Sequence, residues 1–299
     1  MKVLLLMGPT ASGKSALALD LAEKRGREIV SADSRQIYRG LRLGTAQPDA
    51  TEKARVRHHL VDFLSPESSW SAQAFAESAL SLIRERENAT PLLVGGTGFY
   101  LRSLRQGLFP LDLDETELRA VRERLEELPP EERWERLRKA DPESAGRLHP
   151  NDRQRVLRAL EVWEATGLPL SEHHRRGRRK PEGIQWIPVL LKADRSWLHA
   201  RIEARLDAML AGGWYEEVEG LLARGVSQDA PGMQSLGYPE IAGHLRGELG
   251  RDEARERILV RTRQYARRQD IWFAKEEGAV LLDPRDPGTP ARLEELLPA

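Results

Sequence analysis

The chain is expected to be an α/β protein: a parallel-sheet core carrying an inserted helical domain. Three observations predict this. Apolar runs at Val3 to Met7, Pro91 to Val94 and Gln185 to Leu191 are separated by amphipathic helical stretches, the alternation that builds a parallel sheet. The first run leads directly into Gly8-Pro9-Thr10-Ala11-Ser12-Gly13-Lys14-Ser15 and then a helix. From Leu111 to Lys180, strand-like runs stop and charged helical stretches follow one another.

The glycine-rich stretch satisfies G-x-x-x-x-G-K-[ST], so the core is expected to be P-loop NTPase-like. Gly8 and Gly13 let backbone approach a phosphate, since no Cβ blocks positive φ or close contact. Successive N–H groups and the helix N-terminus surround the anion with donors. Lys14 adds a full charge, and the Ser15 hydroxyl is the candidate ligand for a Mg²⁺ bridging phosphate oxygens. A turn that merely opens a helix is the alternative; the preceding strand and the Lys14-Ser15 pair argue against it.

Composition bounds the rest. At 299 residues the chain can bury a proper core, and its 47 basic and 47 acidic side chains give no net charge. The absence of cysteine excludes disulfides, a thiolate zinc site and a cysteine nucleophile. No long apolar span or leader is read before the first strand, so the chain is expected to be soluble and cytoplasmic, with no membrane partner. A monomer is expected, although nothing in the sequence decides it.

In order, Glu28 to Ser31 reads as a second strand ending at Ala32-Asp33-Ser34, which aims Asp33 into the crevice beyond the strand ends. Arg39 to Pro48 reads as loop, His58 to Asp62 as a brief strand-like run, and Ser71 to Arg86 as an amphipathic helix. The run Pro91 to Val94 closes with Gly95-Gly96-Thr97-Gly98 before a helix from Phe99 to Arg105. Many nucleotide hydrolases carry an aspartate for Mg²⁺ at that strand end; this chain has glycine and threonine. The expected division is a core over 1–110, a helical insertion over 111–183 and a second core part over 184–299. The insertion reads as helices Glu115 to Leu128, Pro130 to Ala140 and Asp152 to Thr166, after which Gly167, Pro169 and the run His173 to Lys180 break the pattern. Strands return at Gln185 to Leu191 and Ala279 to Leu282, around helices Trp197 to Leu210, Trp214 to Arg224, Pro239 to His244 and Asp252 to Lys275.

Charge is unevenly distributed. Residues 145–180 hold nine Arg or Lys against four Asp or Glu, and Arg257, Arg261, Arg263, Arg267 and Arg268 share the long C-terminal helix. Such clusters beside a phosphate loop point to a nucleic-acid partner; a solvated helix face with a basic loop is the plainer reading. Asp33 reads as a catalytic or Mg²⁺-linked carboxylate, or as a turn cap. Thr97 either reaches a ligand or caps the next helix. Arg201 and Arg205, four apart on one helix, either clamp a diphosphate or pair with Glu203 and nearby acids. His58 and His59 lack metal-like partner spacing and read as structural.

Nearly end to end, these residues resemble the tRNA dimethylallyltransferases, or tRNA isopentenyltransferases. The resemblance rests on the phosphate loop, Asp33-Ser34-Arg35-Gln36-Ile37-Tyr38-Arg39-Gly40, Gly44-Thr45-Ala46-Gln47-Pro48, His58-His59-Leu60-Val61-Asp62 and Gly95-Gly96-Thr97-Gly98-Phe99-Tyr100-Leu101. It continues through Asn151-Asp152-Arg153-Gln154-Arg155, Gln234-Ser235-Leu236-Gly237-Tyr238 and Arg263-Gln264-Tyr265-Ala266-Arg267-Arg268-Gln269. It implies transfer of a dimethylallyl group from dimethylallyl diphosphate to the exocyclic amine of the adenosine 3′ to the anticodon, in tRNAs reading codons that begin with U. The phosphate loop would hold the donor's diphosphate, and the insertion would grip the anticodon stem-loop. Carried over by position, the resemblance implies tRNA contacts from Asp33, Ser34, Arg35 and Gln36; from Gln154, Arg155, Val156, Leu157 and Arg158; from Met233, Gln234, Ser235, Leu236, Gly237 and Tyr238; and from Thr97 and Arg119.

In that chemistry Lys14, the loop amides, Mg²⁺ and Arg205 stabilise the charge growing on diphosphate, and Asp33 is the candidate base for the adenine amine. The family commonly continues its last block as Leu-Thr-Trp-Phe-Arg; this chain has Asp270-Ile271-Trp272-Phe273-Ala274, so a phosphate contact there is not carried over. Eukaryotic members often append a zinc finger, which a chain without cysteine lacks, so the resemblance is to the bacterial type. The rival readings are an adenylate isopentenyltransferase acting on free nucleotide, to which a long basic insertion would be of little use, and a P-loop small-molecule kinase. A nucleotide-dependent RNA-binding switch would need a base-reading motif such as N-K-x-D, which is not found.

Overall fold

The computed structural model describes residues 1–107, 115–177 and 180–297; Arg178, Arg179 and the expected boundary near 110 lie outside the described residues. The elements before the insertion are β1 (Lys2–Met7), α1 (Lys14–Lys24), β2 (Ile29–Ser31), α2 (Ala50–Arg55), β3 (His58–His59), α3 (Ala72–Arg84), β4 (Leu92–Gly95) and α4 (Gly98–Gln106). Then come α5 (Glu115–Glu127), α6 (Pro130–Ala140), α7 (Pro142–Ala145), α8 (Arg153–Thr166) and α9 (Leu170–Arg176). The chain closes with β5 (Gln185–Leu191), α10 (Arg195–Ala211), α11 (Trp214–Ala223), α12 (Tyr238–Leu245), α13 (Arg251–Phe273), β6 (Val280–Leu282) and α14 (Thr289–Leu296). Two compact units result: Met1–Arg105 with Glu182–Ala299, and Gln106–Pro181. Among the described residues no helix is long and apolar enough to cross a membrane.

The first unit is built on a six-stranded sheet in the order β3-β2-β4-β1-β5-β6, parallel throughout. Because side chains alternate along a strand, Val3, Leu5 and Met7 pack on one face with Phe75, Ala79 and Ile83 of α3. Leu4 and Leu6 pack on the other with Ala18, Leu19 and Ala22 of α1. Burial on both faces explains why the strands read as continuous apolar runs. The chain leaves β1 toward β2 on one side and later returns to β5 on the other, so strand order reverses at β1. Ligands bind at such a point, beyond the carboxyl ends of the strands. A third cluster, centred on Trp214, Tyr238, Ile241 and Ile258, joins α10 to α13.

The described elements of the second unit are helices, cored by Val121, Leu125, Leu137, Leu157 and Leu160. Gly167 ends α8 in a left-handed turn and Pro169 precedes the next helix, so the chain breaks there as expected; the run from His173, expected to be irregular, instead lies in α9 as far as Arg176. Buried Asp141 caps α7 through the Ser144 N–H (2.9 Å) and accepts the Ser171 N–H (2.9 Å), so one carboxylate satisfies donors at two helix starts. Asp141 is held below the usual carboxylate range by these bonds, although its burial works against them.

Candidate functional site

The phosphate loop begins where β1 ends. A Cβ on Gly8 would lie 2.9 Å from the Leu191 carbonyl oxygen, so only glycine lets the loop pass β5. Gly13 caps α1 at φ 90°, and Ala11 also takes a left-handed turn at φ 63°. Lys14 curls back: its Nζ donates to the Pro9 carbonyl (2.7 Å) and lies 3.5 Å from Ser12 Oγ. Burial, helped by nearby Arg205, pulls its pKa down to about 7, while Asp33 and Asp270 act in the opposite direction. Asp270, one of the residues that depart from the family block, thus stands within electrostatic reach of the loop.

Two arginines from α10 complete the loop. Arg205 donates to Thr10 Oγ1, and Arg201 Nε donates to the Ala11 carbonyl at 2.9 Å. Glu203, between them, instead pairs with Arg263 at 3.0 Å and Arg255 at 3.3 Å. The reading in which the two arginines pair with Glu203 is therefore corrected: the helix turns them toward the loop and the acid away. Burial lowers the Arg205 pKa, and the Asp33 charge partly offsets it.

The β2 and β4 ends are fastened together. Ala32 N–H donates to the Val94 carbonyl (2.8 Å) and Thr97 N–H to the Ala32 carbonyl (3.2 Å). A Cβ on Gly95 would sit 2.2 Å from that same Ala32 oxygen. This contact sets Thr97 beside Asp33: Thr97 Oγ1 accepts the Ser34 N–H at 3.0 Å, and Asp33 Oδ1 accepts the Arg35 N–H at 2.8 Å. Gln36 is fixed by Ser31 Oγ, which donates to its Oε1 (2.8 Å), and by the Ala46 carbonyl, which accepts from its Nε2 (2.7 Å). His59 bonds Glu28 at 2.7 Å and His58 bonds the Val56 carbonyl at 2.8 Å, consistent with structural roles.

A single cleft of about 680 Å³ gathers these groups: Lys14, Ser15, Asp33, Gln36 and Arg205 line it. Its apolar part is formed by Ile202, Leu206, Met209, Trp214, Leu236 and Ile258. One stripe of α13, Ile258, Thr262, Tyr265 and Gln269, forms a wall at helical spacing. Sequence reading passed over Tyr265 and Gln269 as lining residues because arginines dominate that helix; the spacing of 258, 262, 265 and 269 was the available signal. Trp214 was also missed. It packs where a Cβ on Gly44 or Gly237 would come within 2.3 Å and 2.2 Å of its ring, which explains both glycines.

The remaining tRNA set divides by burial. Arg35, Gln154, Arg155, Arg158 and Gln234 are exposed, as is Arg119, paired with Glu123 at 3.1 Å. Val156, Leu157, Met233, Ser235, Gly237 and Tyr238 are buried. Five of these lie in the core of this structure, where Tyr238 spends its hydroxyl on Glu217 at 2.6 Å, whereas Ser235 lines the cleft. The insertion's charge also needs correction. Residues 106–181 hold 16 basic and 16 acidic side chains, so the excess over 145–180 is local to α8, α9 and the segment after them. Much of it is paired on the surface, as in Arg153–Glu126 (3.3 Å), Arg175–Glu172 (3.1 Å) and Arg147–Glu143 (2.7 Å).

The family described as IPP transferase matches residues 36–276. The chain belongs to this family. It is 44% identical over 284 residues to tRNA dimethylallyltransferase 1 of Citrifermentans bemidjiense, covering 94% of this chain and 92% of that one. Among solved structures it resembles the tRNA delta(2)-isopentenylpyrophosphate transferase of Staphylococcus epidermidis, with 33% identity, TM-score 0.70 and coverage of 99% and 97%. It also resembles a eukaryotic dimethylallyltransferase acting on tRNA, with 28% identity and TM-score 0.84, covering 99% of this chain and 77% of that one. This IPP transferase has the family's α/β fold, a parallel-sheet core with a helical insertion.

Proposed function

We propose that this enzyme transfers the dimethylallyl group of dimethylallyl diphosphate to the exocyclic amine of the tRNA adenosine 3′ to the anticodon, in tRNAs reading codons that begin with U, with release of diphosphate. The observation that carries this is the convergence of Lys14, Arg205 and Asp33 on one cleft whose other part is apolar. A volume near 680 Å³ suits a small ligand and one extruded base.

The allylic C–O bond breaks and its electron pair leaves with the diphosphate. Lys14, Arg205 and the loop amides stabilise that charge in a partly dehydrated site, where such contacts are worth more than in water. The apolar wall of Leu206, Met209 and Ile258 keeps water from the allyl fragment as positive charge grows on it. The adenine nitrogen forms the new N–C bond and gives its proton to a carboxylate oxygen of Asp33. Thr97 holds the Ser34 backbone and so fixes the turn that presents Asp33.

Mg²⁺ fits this site in a restricted way. Among the described residues no group of three or more His, Asp or Glu side chains is arranged to hold a metal ion, whereas Ser15 is exposed at the start of α1. One hydroxyl with phosphate oxygens and waters suits an ion that keeps most of its water shell. When bound, Mg²⁺ supplies charge neutralisation to the diphosphate. Exposed Arg155, Arg158 and Gln154 on α8 are the groups proposed to hold RNA phosphates.

Labelled dimethylallyl diphosphate should transfer to an anticodon stem-loop with no ATP present, and free AMP should not accept it. A strict ATP requirement, or AMP preferred as acceptor, would overturn the proposal.

A further inference from the structure

Gln269 lies on α13, 259 residues from the loop it touches, and is 6% exposed. Its Oε1 accepts the Thr10 N–H at 2.8 Å and its Nε2 donates to the Gly96 carbonyl at 2.9 Å. The partners leave no freedom in the assignment of the amide: an N–H faces one end and a carbonyl oxygen the other. A Cβ on Gly96 would come within 2.2 Å of Nε2, so the glycine at that position is what lets the carboxamide in. Thr10 is therefore held twice, its amide by α13 and its hydroxyl by Arg205 of α10.

We infer that Gln269 is a positioning residue for the prenyl transfer: one carboxamide ties the phosphate loop to the β4 turn, and so sets the donor's diphosphate against the turn that carries Thr97 and steadies Asp33. This rests on the proposed reaction. Near-attack geometry between two substrates is lost with displacements of about an ångström, and a single side chain bridging both half-sites is the simplest device for fixing it. Only a side chain with a donor and an acceptor on one fork makes both bonds. Glutamate keeps the bond to Thr10 and regains the one to Gly96 only when protonated. Leucine keeps the volume and loses both.

The test uses the full chain with an anticodon stem-loop, and compares wild type with Gln269→Leu and Gln269→Glu. For Gln269→Leu, kcat is expected to fall by about tenfold or more while the KM for RNA stays within about twofold. For Gln269→Glu, activity relative to wild type is expected to rise as pH is lowered from about 8 to 6, as the carboxyl gains the proton it donates to Gly96. A side chain that only maintained the fold would lower the melting temperature and the active fraction without that pH-dependent ratio. Inorganic diphosphate binding, measured by calorimetry, should weaken in both variants; this readout does not depend on RNA transfer. Gln269→Leu with wild-type kcat, or a flat activity ratio for Gln269→Glu, would overturn the inference. If Gln269→Leu does not fold, the pH ratio of Gln269→Glu decides. Wild type that binds diphosphate but never alkylates RNA would instead sink the proposed reaction.

Discussion

The cleft of the core and the helical unit use charged residues in opposite ways. In the cleft a few polar groups are held in place by the phosphate loop and its neighbours: half-buried Lys14 by the Pro9 carbonyl, Arg205 by the Thr10 hydroxyl, buried Gln269 by Thr10 and Gly96. On the helical unit many arginines pair with glutamates in exposed contacts such as Arg119–Glu123 and Arg136–Glu132. Exposed pairs contribute about 0–1 kcal/mol and exchange partners readily. A surface of this kind can release its cations to phosphates, whereas the cleft is already set before a ligand arrives.

The largest effect should come from the cleft. Asp33→Ala should reduce transfer by about 10²–10⁴-fold with diphosphate affinity little changed, measured by single turnover and calorimetry. Retained turnover would remove Asp33 as the base and leave the cleft no more committed than the helical surface. Arg205→Ala should follow, with a loss of about 10²–10³ in kcat. A loss confined to the KM for RNA would move Arg205 to the acceptor side.

Lys14 gives a pH test with a definite sign. Its pKa falls from an ordinary 10.5 to about 7 on folding, so above pH 7 the native state binds fewer protons than the unfolded chain. Stability of the ligand-free enzyme from this group therefore rises with pH between those values and is lowest below about 7. Diphosphate needs the cation, so its binding above pH 7 should take up a proton and weaken as pH rises. Calorimetry in two buffers of different ionisation enthalpy reads that uptake; equal apparent enthalpies would show that Lys14 is charged throughout.

The smallest effect is assigned to the helical unit. Replacing Arg155, Arg158, Arg175 and Arg176 with glutamine should weaken RNA binding and flatten its salt dependence by about one to three in log–log slope. Donor affinity should stay put. An unchanged slope would mean that these arginines remain paired with Asp152, Glu161 and Glu172 when RNA binds.

How much could be read from the chain follows the same division. The placement of the glycine-rich loop and of Asp33 on one cleft was legible because its signals are local: a strand, a spaced pair of glycines, a carboxylate at a strand end. The sheet was legible because its strands are apolar on both faces. Helix α2 was missed although Asp49 and Glu52 form a full capping box, a signal present in the sequence but overlooked just after a stretch read as loop. Helix α9 was missed because its start depends on Asp141, 30 residues earlier. Trp214 was missed because its partners, Gly44 and Gly237, lie in other segments; the role of Gln269 was missed because Thr10 and Gly96 are distant and the arginines around it hid its helical spacing with Ile258, Thr262 and Tyr265. The count of positive charge misled because acids from outside the counted stretch, such as Glu126 and Glu143, meet its arginines.

The crowding at the end of β4 limits what that strand end can carry. A Cβ at 95 strikes the Ala32 backbone, and one at 96 has to push the Gln269 carboxamide off the Gly96 carbonyl. An acidic side chain on either glycine would therefore disturb the turn that leads into Thr97.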